Sequence, residues 1–152
     1  MMGHIFRQAE ERDIPAIVAM LADDVLGAAR EDQSSPLNAA YLEAFAAIAR
    51  DKNQFLLVVE SDSQIAGCLQ LSFIPGLSRL GMWRGQIESV RIARDYRGQG
   101  LGEQMLQWAI TKCRDKNCGL VQLHTDVTRT DAIRFYEKLG FKPSHAGMKL
   151  AL

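Results

Sequence analysis

The sequence predicts a mixed α/β sheet covered by helices on both faces. Three observations carry that prediction. Stretches with apolar residues at helical spacing alternate with short apolar runs of strand character. Three strand-like runs follow one another in the middle of the chain, so they pair as an antiparallel meander. A glycine-rich turn, Arg97-Gly98-Gln99-Gly100-Leu101-Gly102, joins the third of them to a helix and then to a further strand. Such a βαβ unit is a right-handed parallel crossover.

Ile5 to Gln8 reads as a first strand. Asp13 followed by Pro15 starts a helix in the expected way. Ile14, Ile17, Val18, Leu21, Ala22 and Val25 recur at helical spacing through about Leu26. Gly27 to Ser35 is polar and loop-like, either a solvated connector or a substrate-facing loop. Pro36 restarts a helix with Tyr41, Leu42, Phe45, Ile48 and Ala49 on one face. Phe55 to Val59 is a buried strand, Ser61-Asp62-Ser63-Gln64 a turn, and Ile65 to Ile74 the return strand. Pro75-Gly76-Leu77-Ser78 breaks it, and Trp83 to Ile92 makes the strand that leads into the glycine turn. Leu101 to about Cys113 is a helix, Leu120 to Leu123 a buried strand, and Asp131 to Leu139 a helix closed by Gly140. Phe141 to Pro143 and Met148 to Leu152 read as two short final strands.

At 152 residues, 47% of them apolar and 24% charged, the chain is expected to form one globular domain spanning residues 1–152. Apolar runs such as Phe55 to Val59 are far too short to span a membrane. No N-terminal signal pattern is visible, and Cys68, Cys113 and Cys118 form no disulfide framework and no metal spacing, so a cytoplasmic setting without a metal is expected. A pI near 6.8 argues against nucleic acid. Charge is unevenly spread: Met1–Ser72 carries 11 acids and 5 bases, and Phe73–Leu152 carries 7 acids and 13 bases. That division is either scatter or a polyanionic ligand on the second half facing a cationic one on the first.

The glycine turn opens a helix, so free N–H groups and the positive end of the helix dipole point back at it. With Arg94 and Arg97 nearby it reads as a diphosphate cradle. It lacks the Gly-Lys-Ser/Thr of a nucleotide P-loop, since Glu103 and Gln104 follow Gly102. Its Gly-x-Gly-x-Gly spacing and late position do not fit a dinucleotide fingerprint. What remains is the pattern Arg/Gln-x-x-Gly-x-Gly/Ala, met by Arg97, Gly100 and Gly102.

About 30 residues further lies Asp131-Ala-Ile-Arg-Phe-Tyr-Glu-Lys-Leu-Gly-Phe141. The glycine turn and this segment together resemble the GNAT superfamily of N-acetyltransferases, closely from Gln86 to Phe141 and in element order over the whole chain. The resemblance implies a mixed, mostly antiparallel sheet of six or seven strands with about four helices on both faces. It implies acetyl-CoA as acyl donor and acetyl transfer to an amine. It implies that backbone N–H groups of Arg97, Gly98, Gln99, Gly100, Leu101 and Gly102 hold the pyrophosphate. A bulge at Val90, Arg91 and Ile92 presents backbone to the acetyl group. The parallel strands at Glu88–Ile92 and Leu120–Thr125 splay to admit the pantetheine. The chain departs from the family where Arg129 replaces a frequent asparagine; Arg129 either faces solvent or meets a phosphate.

An alkylammonium must lose its proton before it attacks a thioester. Glu88, on the strand leading to the turn, is the candidate base or amine-binding group, or else an ordinary solvated carboxylate. Direct attack then gives a tetrahedral oxyanion held by backbone N–H of the bulge. Tyr136 is the candidate acid at the departing thiolate, or else plain helix core. A phenol is a weaker acid than a thiol by about 1.5 pH units, roughly 2 kcal/mol, so a strong hydrogen bond or a lowered phenol pKa is expected. The cysteines are expected to be buried small hydrophobes. His124 and His145, Trp83 with Arg84, and Glu31 with Asp32 are weaker candidates for a proton relay, an acceptor wall and a cation-binding pair. The expected acceptor is a small-molecule primary amine. Acetylation of a protein, and a non-catalytic acyl-CoA-binding module, stay open, as does a homodimer.

Overall fold

The computed structural model describes residues 3–152. Five strands form one sheet in the order β1-β2-β3-β4-β5. They are β1 (Ile5–Gln8), β2 (Gln54–Ser61), β3 (Gln64–Ile74), β4 (Arg84–Ile92) and β5 (Leu120–Leu123). The first four pair antiparallel, and β5 runs parallel to β4. The helices are α1 (Ile14–Ala22), α2 (Val25–Ala28), α3 (Ala39–Arg50), α4 (Ser78–Gly81), α5 (Leu101–Asp115) and α6 (Thr130–Lys138).

Local chemistry accounts for most boundaries. The β2–β3 hairpin turns through Asp62 and Ser63, whose φ angles of 52° and 62° match the right-handed strand twist. The first helix stops at Ala22, short of the expected Leu26, because Asp24 caps a new turn by accepting from the Gly27 amide. After α6 the chain closes through Gly140 (φ 98°), with the Phe141 amide donating to the Tyr136 carbonyl at 3.1 Å. α4 is a single turn with left-handed Arg79 and Leu80.

Alternation along the strands divides the core between the two faces. Leu57, Val59, Leu69, Leu71, Phe73 and Ile87 pack against Leu101, Met105, Leu106, Ala109 and Cys113 of α5. Leu56, Val58 and Cys68 point the other way, onto Ile14, Ile17 and Val18 of α1, with Tyr41, Phe45 and Ile48 of α3 outside them. Helices therefore cover both faces, as the periodicity predicts. The approach of α5 to β4 is close: a β-carbon at Gly85 would stand 2.2 Å from Cys113 Sγ. Burial pushes the Cys68 and Cys113 thiols up to about 12, in keeping with their role as small core residues.

Two expectations fail. The sheet has five strands among the described residues, and neither Phe141–Pro143 nor Met148–Leu152 is a strand. Pro143 and Gly147 interrupt the run, and only Phe141 packs against the core. Residues 142–152 are exposed.

One buried charge fastens the start of the chain. Asp13 is 4% exposed, accepts from Arg7 at 2.7 Å and 3.0 Å, and accepts from the Glu10 amide at 2.7 Å. Arg7 also reaches Glu60 at 2.9 Å, so it ties the start of α1 to β2. Its guanidinium holds the Asp13 carboxyl below the usual carboxylate range. Removing one partner strands the other in the interior. Arg7→Ala is expected to lower unfolding stability by about 3 kcal/mol, measured by urea denaturation at pH 7.

Candidate functional site

The site begins with a one-residue irregularity. Along β4, Glu88 pairs with Gln70 and Arg91 with Cys68, so β4 spends one residue more than β3 over that interval. The extra residue lies at Ser89–Val90, where Ser89 has φ 55°. Inserting one residue flips the face of everything after it. Val90 and Ile92 thereby return to the α5 face, and Arg91 turns toward the corner between α1 and α2. The bulge expected at Val90–Ile92 is present, displaced toward Ser89.

The same segment leaves its parallel neighbour. β4 and β5 pair only from Arg84 with Leu120 to Ile87 with Leu123. β4 continues to Ile92 while β5 ends, so the two strands part at the bulge. The wedge between them is the splay expected from the sequence.

At the end of β4 the chain makes a short 3-10 turn at Arg94–Tyr96 and enters the glycine segment. Gly98 and Gly100 have φ of 73° and 81°, a region that penalises residues with a β-carbon. Gly100 precedes α5 with no side chain capping it. The first bond into the helix from this loop is Gln104 N–H to the Gly100 carbonyl at 3.2 Å, so the amides of Leu101, Gly102 and Glu103 precede it. A β-carbon at Gly98 or Gly100 would meet nothing within 4 Å, so the backbone faces open space. This arrangement suits an anion. A shallow concavity of about 600 Å³ flanks it, lined by Phe6, Gly100, Glu103, Gln104, Gln107 and Trp108.

Arg94 and Arg97 are differently employed from what the sequence suggests. Both pair with Asp23, at 2.6 Å and 3.1 Å, and Arg97 also donates to the Ile92 carbonyl at 3.1 Å. The neighbouring Asp24 pairs with Arg91 at 3.4 Å and with Arg129 at 3.0 Å. Arg129 is therefore half-buried in an ion pair rather than free in solvent. Much of the opposite charge of the two halves meets itself here. Burial raises the Asp24 carboxyl, but the Gly27 amide, Arg129 and Arg91 outweigh it and hold the group below its usual range. Arg91 Nε is buried without a partner beside these charges.

Tyr136 and Glu88 lie on opposite faces of the sheet. Tyr136 is half-buried on the α5 side, edge-on to Phe135 at 5.3 Å and to Phe141 at 6.0 Å. Burial pushes its phenol above the ordinary value, and Arg91 and Arg129 pull it back only in part. That direction is opposite to the lowered phenol pKa expected as one option. Glu88 is exposed on the α1 and α3 side and accepts from Gln86 Nε2 at 3.2 Å.

Glu88 belongs to a polar row that single-residue motifs do not reveal. Gln54, Ser72, Gln86 and Gln122 are direct cross-strand neighbours over β2 to β5. Gln122 Nε2 donates to Gln86 Oε1 at 2.9 Å, and Gln86 donates onward to Glu88. On the inner strands, Gln70 and Ser72 both donate to Gln54 Oε1, at 3.0 Å and 2.9 Å. The available signal was a polar residue (Gln54, Ser72, Gln86 or Gln122) in each of β2, β3, β4 and β5.

The weaker candidates take structural places. Glu31 accepts from the Tyr41 hydroxyl at 2.6 Å, and Asp32 accepts from the Ser34 amide at 2.9 Å and Asn38 at 3.2 Å, so both organise the loop into α3. The Trp83 carbonyl accepts from the Gly119 amide at 2.8 Å, just before β4 begins at Arg84. His145 pairs with Ser144 at 2.6 Å in the exposed C-terminal segment. His124 is exposed just past β5. Among the described residues no cluster of His, Cys, Asp and Glu gathers as a metal site, and no helix is long and apolar enough to cross a membrane.

Comparison with known proteins adds to this geometry. The model of the acetyltransferase (GNAT) family matches residues 5–141. An aminoalkylphosphonate N-acetyltransferase of Salmonella typhimurium is 32% identical over 113 residues, 74% of this chain and 73% of that protein. A glucosamine 6-phosphate N-acetyltransferase of Trypanosoma brucei brucei is 35% identical over 89 residues, 59% of this chain and 58% of that protein. A crystal structure described as a transcriptional regulator from Bacillus halodurans superposes with a TM-score of 0.96 at 47% identity, covering 99% of this chain and 100% of that one.

The Asp24 junction gives a test with a sign. A carboxyl whose pKa is lowered on folding contributes stability above its unfolded value of about 3.9 and loses it as pH falls through the lower folded value. Asp24→Ala removes a helix cap as well as the partner of Arg91 and Arg129, and is expected to cost about 2 kcal/mol at pH 7. The gap from wild type should narrow in chemical denaturation near pH 3.

Proposed function

We propose that the acceptor of this chain, which belongs to the acetyltransferase (GNAT) family and is an acetyl-CoA-dependent N-acetyltransferase, is the primary amine of a small polar molecule. The observation that carries the reading is the polar row on the α1 and α3 side of the sheet, which ends at the exposed Glu88. Its uncharged amides match hydroxyl or oxyanion substituents, and the carboxylate matches an ammonium. The names of the Salmonella and Trypanosoma relatives, an aminoalkylphosphonate and a glucosamine 6-phosphate N-acetyltransferase, point to acceptors of that size.

Acetyl-CoA supplies an acyl carbon bonded to a thiol leaving group. The residues present fit such a donor. The amides from Gly98 to Glu103 face open space beside two left-handed glycines, which suits a pyrophosphate. In our reading Arg97, Gln99 and Leu101 contribute backbone rather than side chain, because Arg97 is held by Asp23 and Gln99 donates to the Asp95 carbonyl at 2.9 Å. The bulge at Ser89–Val90, with Arg91 and Ile92 beyond it, turns backbone into the wedge. Glu88 receives the ammonium and takes its proton, while Gln86 fixes the carboxylate. Tyr136, half-buried on the α5 side, donates a hydrogen bond to the departing sulfur.

The acceptor class is tested by following thiol release from acetyl-CoA with a panel of amino sugars, amino acids, aminoalkylphosphonates and N-terminal peptides. Turnover is expected with one of the small amines; turnover confined to the peptides would overturn the proposal. Tyr136→Phe is expected to lower kcat about 100-fold, with the thermal stabilisation by acetyl-CoA unchanged. An unaltered kcat would remove the phenol from the reaction.

A further inference from the structure

Asp24 is one carboxylate between two guanidinia. Its Oδ2 lies 3.4 Å from Arg91 Nη2 and 3.0 Å from Arg129 Nη2, and its Oδ1 is spent on the Gly27 amide. The exposed Asp126 also feels Arg129, but it feels Arg30 as well, so three arginines face two carboxylates. The corner keeps a positive charge in excess.

Arg91 is also short of partners. Its Nη1 donates to the Val90 carbonyl at 3.0 Å, while its Nε is buried with none among the described residues. A buried charged donor left unpaired is costly, and a planar oxyanion is the partner a guanidinium fork fits best. The side chains of Arg91 and Arg129 remain 22% and 33% exposed, so a ligand can reach them.

The register sets this charge beside Glu88. Glu88 pairs with Gln70 and Arg91 with Cys68, and those two partners stand two apart on β3 on its α1 face. The bulge therefore brings Glu88 and Arg91 to one face of the sheet, about 7 Å apart along the strand. That is the face of the polar row. Both guanidinia also pull against the burial that raises the Tyr136 phenol, so the corner adjoins the hydroxyl assigned to the departing sulfur. The glycine turn lies further on, beyond Arg94–Tyr96, and presents its own backbone amides.

We propose that the acceptor carries an oxyanion as well as its amine, and that Arg91 and Arg129 receive the oxyanion while Glu88 receives the ammonium. This rests on the small-amine reading above and narrows it to carboxylate- or phosphonate-bearing amines. The same two cations repel acceptors that bring a second positive charge in place of the anion.

Matched acceptors test the proposal by thiol release from acetyl-CoA. Amino acids and aminoalkylphosphonates are compared with alkylamines and amino alcohols of the same carbon skeleton. The anionic member of each pair is expected to have a kcat/KM about 30-fold higher. Arg129→Gln should erase that preference through KM, with kcat for the uncharged member unchanged; the ratio is read within one preparation, so a general loss of folded protein cancels. As a readout apart from turnover, methylphosphonate is titrated onto the CoA-saturated protein at constant ionic strength. It should raise the melting temperature of the wild type and not of Arg129→Gln. Equal turnover of the charged and uncharged small amines, or no stabilisation by methylphosphonate, would overturn this proposal and leave the small-amine reading standing. Turnover confined to peptides would overturn both.

Discussion

The parting of β4 from β5 is the constraint on which the site depends. Parallel pairing stops at Ile87 and Leu123, where β5 ends, and the bulge at Ser89–Val90 follows just beyond on β4. Without the extra residue, Val90 and Ile92 would face α1, and Arg91 would enter the α5 core. With it, the apolar residues return to their core and the guanidinium reaches Asp24. Glu88 is exposed on the α1 and α3 face, and Tyr136 packs on the α5 face.

Two adjacent aspartates hold that geometry in place. Asp23 pairs with Arg94 and Arg97 ahead of the glycine loop, and Asp24 pairs with Arg91 on β4 and Arg129 before α6. A corner of the N-terminal helices is thus tied to the strand, the loop and the last helix. The exposed pairs to Asp23 contribute little each, whereas the partly buried pairs to Asp24 leave a stranded charge when broken. With Arg94 and Arg97 so engaged, the positive potential of the glycine loop comes from backbone amides and the helix dipole.

Much of this was legible in the residues themselves. Apolar spacing located the four longer helices and all five strands, since period decides which face is buried. The glycine turn and the Phe135-Tyr136 segment identified the loop and the helix that flank the wedge. Glu88 and Tyr136 could be named, but not their placement on opposite faces, which depends on pairing between strands distant in sequence. The partners of Arg91, Arg97 and Arg129 were invisible for the same reason, because Asp23 and Asp24 precede them by about 70 to 105 residues. The polar row is three glutamines and a serine scattered along the sequence, and only the register lines them up. Met148–Leu152 alternates like a strand, yet it is exposed and joins no strand of the sheet, because alternation does not specify a pairing partner.

Local chemistry, by itself, determined the elements, the positive-φ glycine turn that opens α5 and the motifs that resemble an acetyl-CoA-dependent family. These follow from periodicity, from glycine's access to positive φ and from short-range motifs. Tertiary structure alone decided which charges neutralise one another, that Tyr136 is half-buried on the α5 side, and that a row of amides lies on the face where Glu88 is exposed. Those properties arise from neighbours far apart in the chain, and their energies depend on burial, which no local stretch of sequence specifies.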